Sequence, residues 1–203
     1  MAEIIRLDLS HLDQIEKLFW KCHLAEAERA KQRPNSHVDE SLEQIDEFWK
    51  IWILGMKRYY LNGDDYHYLY GLFENDTMMA MVGWRCDLPS PYNKDWVIVY
   101  LKSDPSKNAL RRYMKPLWEF MFRECELRGL RAWHSLIKPG RWSKFDAFYQ
   151  RMIPEINNSY TYETTVTIPA GTKPEVDWVW GMMGRRPLQD DYIVRTGTRI
   201  QNV

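Results

Sequence analysis

The sequence has no surplus of either charge. Lys plus Arg number 28 and Asp plus Glu number 28, so the formal net charge is +0. A neutral chain has no overall field to draw in nucleic acid or an anionic surface, and no basic run supplies a local one. Cysteine is scarce: Cys22, Cys86 and Cys125 are odd in number and far apart. That argues against a disulfide framework or a cysteine-based metal site and fits a reducing compartment. No apolar run is long enough to span a bilayer, and "MAEIIRLDLS" lacks the apolar core of a signal peptide. These absences predict a soluble, cytoplasmic protein with no metal and neither nucleic acid nor membrane as partner. One more absence is local. "VYLKSDPSKNALRRYMKPLW", Val99 to Trp118, reads as a buried strand, a turn and a helix start, yet holds no glycine. A helix N-terminus after a strand is a natural phosphate site, but such turns usually carry glycines so that backbone N–H groups can approach the anion.

What is present is aromatic: 10 Trp and 12 Tyr, enough for a large aromatic core or an interface. "EIIRLD" (3–8) alternates as a short strand. Ser10, with Asp13 three residues on, reads as the start of a helix carrying Leu12, Ile15, Leu18, Phe19 and Cys22. After Pro34 a second helix places Leu42, Ile45, Phe48, Trp49, Trp52 and Met56 on one side. "YHYLYGLF" (66–73) and "MMAMVGWRC" (78–86) flank the hairpin turn "ENDT". "DWVIVYLK" (95–102) is a nearly continuous apolar run, as a central strand should be. A helix is expected from about Pro105 to Arg128, capped by Ser103 or Asp104 and ended by Gly129. Pro116 should kink it or mark a later start. A strand (130–137), a short helix (142–152) and a Thr- and Tyr-rich strand (160–168) follow.

The alternation predicts an α/β (α+β) domain over residues 1–168, with a central mixed sheet flanked by helices. Residues 169–203, richer in Gly and Pro, read as an extended arm with one strand, "YIVRTGTRI". Its Trp178, Trp180, Met182 and Met183 suit either a cover over the domain or a contact with a second copy or a protein partner.

This order of elements resembles the GNAT-type N-acetyltransferase superfamily. "IIRLDLSHLDQIEKLF" is similar to that family's opening strand and helix, "YHYLYGLFENDTMMAMVGW" to its central hairpin, and "WVIVYLKSDP" to the strand that runs into its cofactor loop. "FDAFYQRMI" is similar to its late helix. The likeness spans roughly residues 3–168. It implies acetyl-CoA as cofactor, with the pyrophosphate on the turn after Leu101. On that alignment the family's basic position falls near Asn108 and its glycines near Arg111 and Tyr113, both large residues. Lys107, Arg111 and Arg112 could bind phosphate by side chain instead, or form a solvated first turn. Weak or absent cofactor binding is expected.

The resemblance also implies that Tyr149 donates a proton to the leaving thiolate; the alternative is a core aromatic on the face of Phe145 and Phe148. Asp87 and Glu74 are the carboxylates nearest the expected cleft, as general base or as strand-end residues. His11, His23 and His37 read as surface positions. Two functions follow: acetyl transfer to an amine, or a non-catalytic assembly protein on the same fold, such as a phage virion component.

Overall fold

The computed structural model describes residues 2–32, 41–63, 67–85, 95–106, 110–129, 132–137, 160–169, 171 and 192–200. Strand β1 (Ala2–Arg6) leads through a short 3-10 turn (Leu9–His11) into α1 (Leu12–Lys31). The cap is Asp8 rather than Ser10. Its carboxylate accepts from the Ser10 backbone N–H at 2.9 Å, and the Ser10 hydroxyl donates to the same oxygen, so that hydroxyl is not offered to the helix. His11 Nδ1 accepts from the Asp8 N–H, closing the reciprocal pair. α2 (Leu42–Gly55) opens on Ser41 and Gln44, which satisfy each other's backbone N–H groups as a capping box.

The hairpin pairs β2 (His67–Glu74) with β3 (Thr77–Arg85). Asn75 and Asp76 both take positive φ, 49° and 60°, the backbone that a tight two-residue hairpin loop requires. β4 (Asp95–Ser103), β5 (Ala132–Ile137), β6 (Tyr160–Ile168) and β7 (Tyr192–Arg199) complete one seven-stranded sheet in the order β1-β2-β3-β4-β5-β7-β6. β4 holds the middle, as its apolar run predicts. Among the described residues only β4 and β5 pair in parallel, which makes the sheet mixed. The strand expected in the C-terminal segment is β7, and it lies between β5 and β6.

Helix α3 (Lys115–Leu127) starts later than Pro105. Residues Leu110–Met114 form a wider π-turn, and regular α-helix begins only beside Pro116. The proline ring has no N–H to offer and crowds the carbonyl four residues back, that of Arg112, so the turn before it opens. Gly129 ends the helix with φ at 70°.

Each face of the sheet carries a core. On one, Leu117, Trp118, Met121, Phe122 and Cys125 of α3 pack on Tyr68, Leu72, Ala80, Val82 and Trp84. On the other, Ile15, Leu18, Phe19 and Cys22 of α1 and Ile45 and Trp52 of α2 pack on Leu69 and Met81. Much of the tryptophan goes here: the Phe19 ring lies within 6 Å of the rings of Trp49 and Trp52. His23, expected at the surface, is buried against Phe19 and Phe48 because α2 covers that side of α1. Among the described residues no helix is long and apolar enough to cross a membrane.

Candidate active site

The centre of the sheet is incomplete. β4 and β5 pair over Asp95–Val97 with Ala132–His134 and no further. Beyond that point β4 continues along β3 to Ser103, while β5 continues along β7 to Ile137. The cause sits one strand over. The β3–β4 register slips between Gly83 (opposite Tyr100) and Trp84 (opposite Ile98), leaving Val99 as an extra residue on β4. Such a bulge bends the strand that carries it. β4 therefore leaves β5 just where it bulges, and among the described residues none pairs with 98–103 on the β5 side. Leu101 falls in this stretch, opposite Val82 on the β3 side. An interior strand edge whose peptide groups pair with no other strand is a template for an extended, amide-bearing chain.

The turn after β4 is held from the α1 face. The Asp104 N–H donates to the carbonyl of Met79 at 2.7 Å. Met79 is itself the bulged residue of β3, skipped where Leu72 pairs with Ala80 and Phe73 with Met78. The buried Asp104 carboxylate accepts from the Ser106 N–H at 2.9 Å and from the Lys21 ammonium. Cys22 Sγ donates to the Ser103 carbonyl at 3.1 Å, and the Arg29 guanidinium to the Pro105 carbonyl at 2.9 Å. Burial alone would push the Asp104 carboxyl up; the hydrogen bonds from Lys21 and Ser106 outweigh it and hold the group below the ordinary aspartate value.

On the opposite face the π-turn is tied to the hairpin. The buried Tyr113 hydroxyl donates to Glu74 Oε2 at 3.0 Å, and Arg112 Nη2 donates to Oε1 at 2.5 Å. The bond from Arg112, with that from Tyr113, holds the Glu74 carboxyl below its usual value. Burial and the bond to Glu74 push the Tyr113 phenol up. Glu74 belongs to β2, two strands from β4 on the side away from β5. Arg112 and Tyr113 thus reach away from the parting of β4 and β5. Arg112 and Tyr113 therefore do not reach the parting, and Arg111 is exposed.

Of the site residues expected from sequence, Leu101 lies on β4, and Arg111 and Arg112 on the π-turn before α3. Glu74 is bound to that turn through Arg112 and Tyr113. Tyr149, Asp87, Lys107 and Asn108 lie outside the described residues, as do the helix expected over 142–152 and Trp178, Trp180, Met182 and Met183. Sequence reasoning missed Lys21, Cys22 and Arg29. A polar residue on a helix carries no mark of a partner some 80 positions away; Asp104 alone, an acid before Pro105, hinted at a structured turn. Among the described residues no cluster of His, Cys, Asp or Glu could hold a metal ion.

No protein-family model matches the sequence, and no curated protein does. The fold has many solved counterparts. The chain is similar to a probable acetyltransferase from Staphylococcus epidermidis (TM-score 0.61, 14% identity, 97% of this chain and 98% of that one). It is similar to the PaiA N-acetyltransferase from Thermoplasma acidophilum, solved in complex with coenzyme A (TM-score 0.62, 12% identity, 98% and 99%). It is also similar to the ribosomal-protein-S18-alanine N-acetyltransferase from Escherichia coli (TM-score 0.54, 14% identity, 100% and 99%). The chain has the GNAT-type N-acetyltransferase fold, in a divergent form.

Proposed function

We propose that this protein transfers an acyl group, acetyl in the simplest case, from an acyl-CoA to an amine. The observation that carries this reading is the parting of β4 from β5 after the Val97–His134 pair. It leaves a run of peptide groups in the middle of the sheet without a strand partner among the described residues, and a helical turn, Leu110–Met114, lies a few residues farther along the chain. An acyl-CoA suits this layout at both ends. Its amide-bearing arm can lie along residues 98–103 as a short extra strand, and its diphosphate then reaches the turn and the first helical N–H groups. That a structure of the same fold is a coenzyme A complex supports the assignment.

The chemistry is acyl transfer. The amine nitrogen attacks the thioester carbonyl carbon, the C–N bond forms, and the C–S bond breaks. The departing thiolate takes up a proton and the amine loses one. We assign the proton for the thiolate to Tyr149. Glu74 is occupied by Arg112 and Tyr113, so of the two carboxylates we assign the base to Asp87 and give Glu74 the task of anchoring the turn.

The observation favouring a second reading, a fold kept for binding or assembly without catalysis, is the glycine-free turn, where Arg112 is already spent on Glu74. Release of CoA thiol from acetyl-CoA over a panel of amines separates the two. On the catalytic reading release requires an amine, and Tyr149→Phe lowers kcat by about 10²-fold or more with KM for acetyl-CoA nearly unchanged. No release with any amine would favour the second reading.

A further inference from the structure

Helix α2 buries one side and carries an ordered stripe on the other. Ile45 and Trp52 enter the core. Glu43, Glu47, Ile51 and Leu54 recur at intervals of four, four and three residues, so they share one face, and all four are exposed. The stripe continues into the wider turn Met56–Tyr60, where Lys57 and Arg58 are exposed. A solvent-facing helix stripe is ordinarily polar along its length. Here the middle is apolar: Ile51 is 39% exposed and Leu54 67%.

The charges on this stripe are sorted by sign. Glu43 and Glu47 lie in the N-terminal half of α2, and Lys57 and Arg58 lie just past its C-terminal end. Asp46 and Lys50, between them, pair with each other at 2.5 Å and leave that polarity unchanged. The Arg58 guanidinium rests on Tyr59, 5.1 Å from the ring centroid, which keeps the cation at its end of the stripe. An apolar centre between an acidic end and a basic end is self-complementary. A second copy turned about a two-fold axis beside Ile51 runs antiparallel to the first. Ile51 and Leu54 then meet their counterparts, and each acidic end meets a basic end. The same direction sets opposite ends of the two helix dipoles together.

We propose that the exposed face of α2 is an isologous contact between two copies of this chain. The contact is independent of the acyl-transfer reading. α2 has 14 residues and is about 21 Å long. One pair of such helices buries less than the roughly 1,600 Å² of a standard stable interface. The dimer is therefore weak, with a Kd on the order of 10 μM.

Sedimentation equilibrium of the full chain, from about 1 μM to about 1 mM, tests this. The wild type should pass from monomer to dimer and stop there, because an isologous contact closes. Leu54→Glu sets like charges near the axis and should raise the dimer Kd about tenfold or more. Its circular dichroism and thermal transition should be kept, since the replaced side chain is exposed. Two charge variants test the orientation. Glu43→Lys/Glu47→Lys and Lys57→Glu/Arg58→Glu should each self-associate about tenfold more weakly than the wild type. An equimolar mixture of the two should return to within about threefold of the wild-type Kd, as opposite charges then meet at both ends. Lysines near a helix N-terminus disfavour the helix; if the first charge variant unfolds, the second and Leu54→Glu decide the matter. A chain that stays monomeric throughout, or that grows past the dimer, would overturn the proposal. A dimer that Leu54→Glu leaves intact, or a mixture no stronger than its separate components, would overturn it as well.

Discussion

Asp104 concentrates the local physics of the site. It is a carboxylate 3% exposed, fed by Lys21 and by the backbone of Ser106. Its folded pKa lies below the ordinary value of about 3.9, so linkage fixes the sign. The stability it contributes is complete above the unfolded value and is lost as pH falls through the folded one. Denaturant midpoints of the wild type and Asp104→Asn, compared between roughly pH 3 and pH 7, should differ by a constant amount near neutrality. The gap should narrow below about pH 4. A gap that widens on acidification would mean that the carboxylate is held protonated and that Lys21 is not its partner. Tyr113 makes a complementary point. At a position where the resemblance implies glycine, the sequence offers a large phenol, which on sequence alone looks like an obstruction. The side chain turns instead into the core under α3 and donates to Glu74. A one-dimensional alignment gives a residue's size at a position but not its direction.

At the level of elements, local patterns are legible in the sequence and most long-range placement is not. Two strand-like runs flanking the turn "ENDT" located β2 and β3 and their hairpin, and a continuous apolar run placed β4 at the centre of the sheet. Pro116 marked the late start of α3, because a missing N–H and a bulky ring act within one helical turn. The parting of β4 from β5 was illegible, since it depends on the Val99 bulge against Gly83 and Trp84 and on where the β5 register ends. The clamp from α1 was illegible for the same reason. β7 shows the consequence for experiment. It sits between β5 and β6, and among the described residues β6 pairs with no other strand. Removing residues 171–203 should therefore abolish cooperative unfolding and yield aggregated protein, as two bare strand edges are exposed. A truncated chain that keeps its far-UV circular dichroism and a sharp thermal transition would contradict this strand order.

For the whole molecule, the fold and the proposed site form a chain of causes. Neutral overall charge provides no long-range pull on an anionic cofactor, so recognition must come from the cleft itself. In the proposed site the groove comes from an unfinished strand pairing; the end of β4 is braced by α1, and the π-turn before α3 is braced by Glu74. Fold alone does not fix function, and side chains in place of glycines at the turn imply affinity on the weak side. The most direct test of the central claim is a calorimetric titration of the full chain with acetyl-CoA, checked by thermal unfolding at saturation. Saturable binding at one site is expected, with Kd within the span of ordinary enzyme KM values, roughly 1 μM to 1 mM. At 100 times that Kd the folded state should gain about 2.7 kcal/mol, visible as a raised Tm. No heat of binding and no change in Tm at millimolar acetyl-CoA would contradict the claim that the parting of β4 and β5 is an acyl-CoA site.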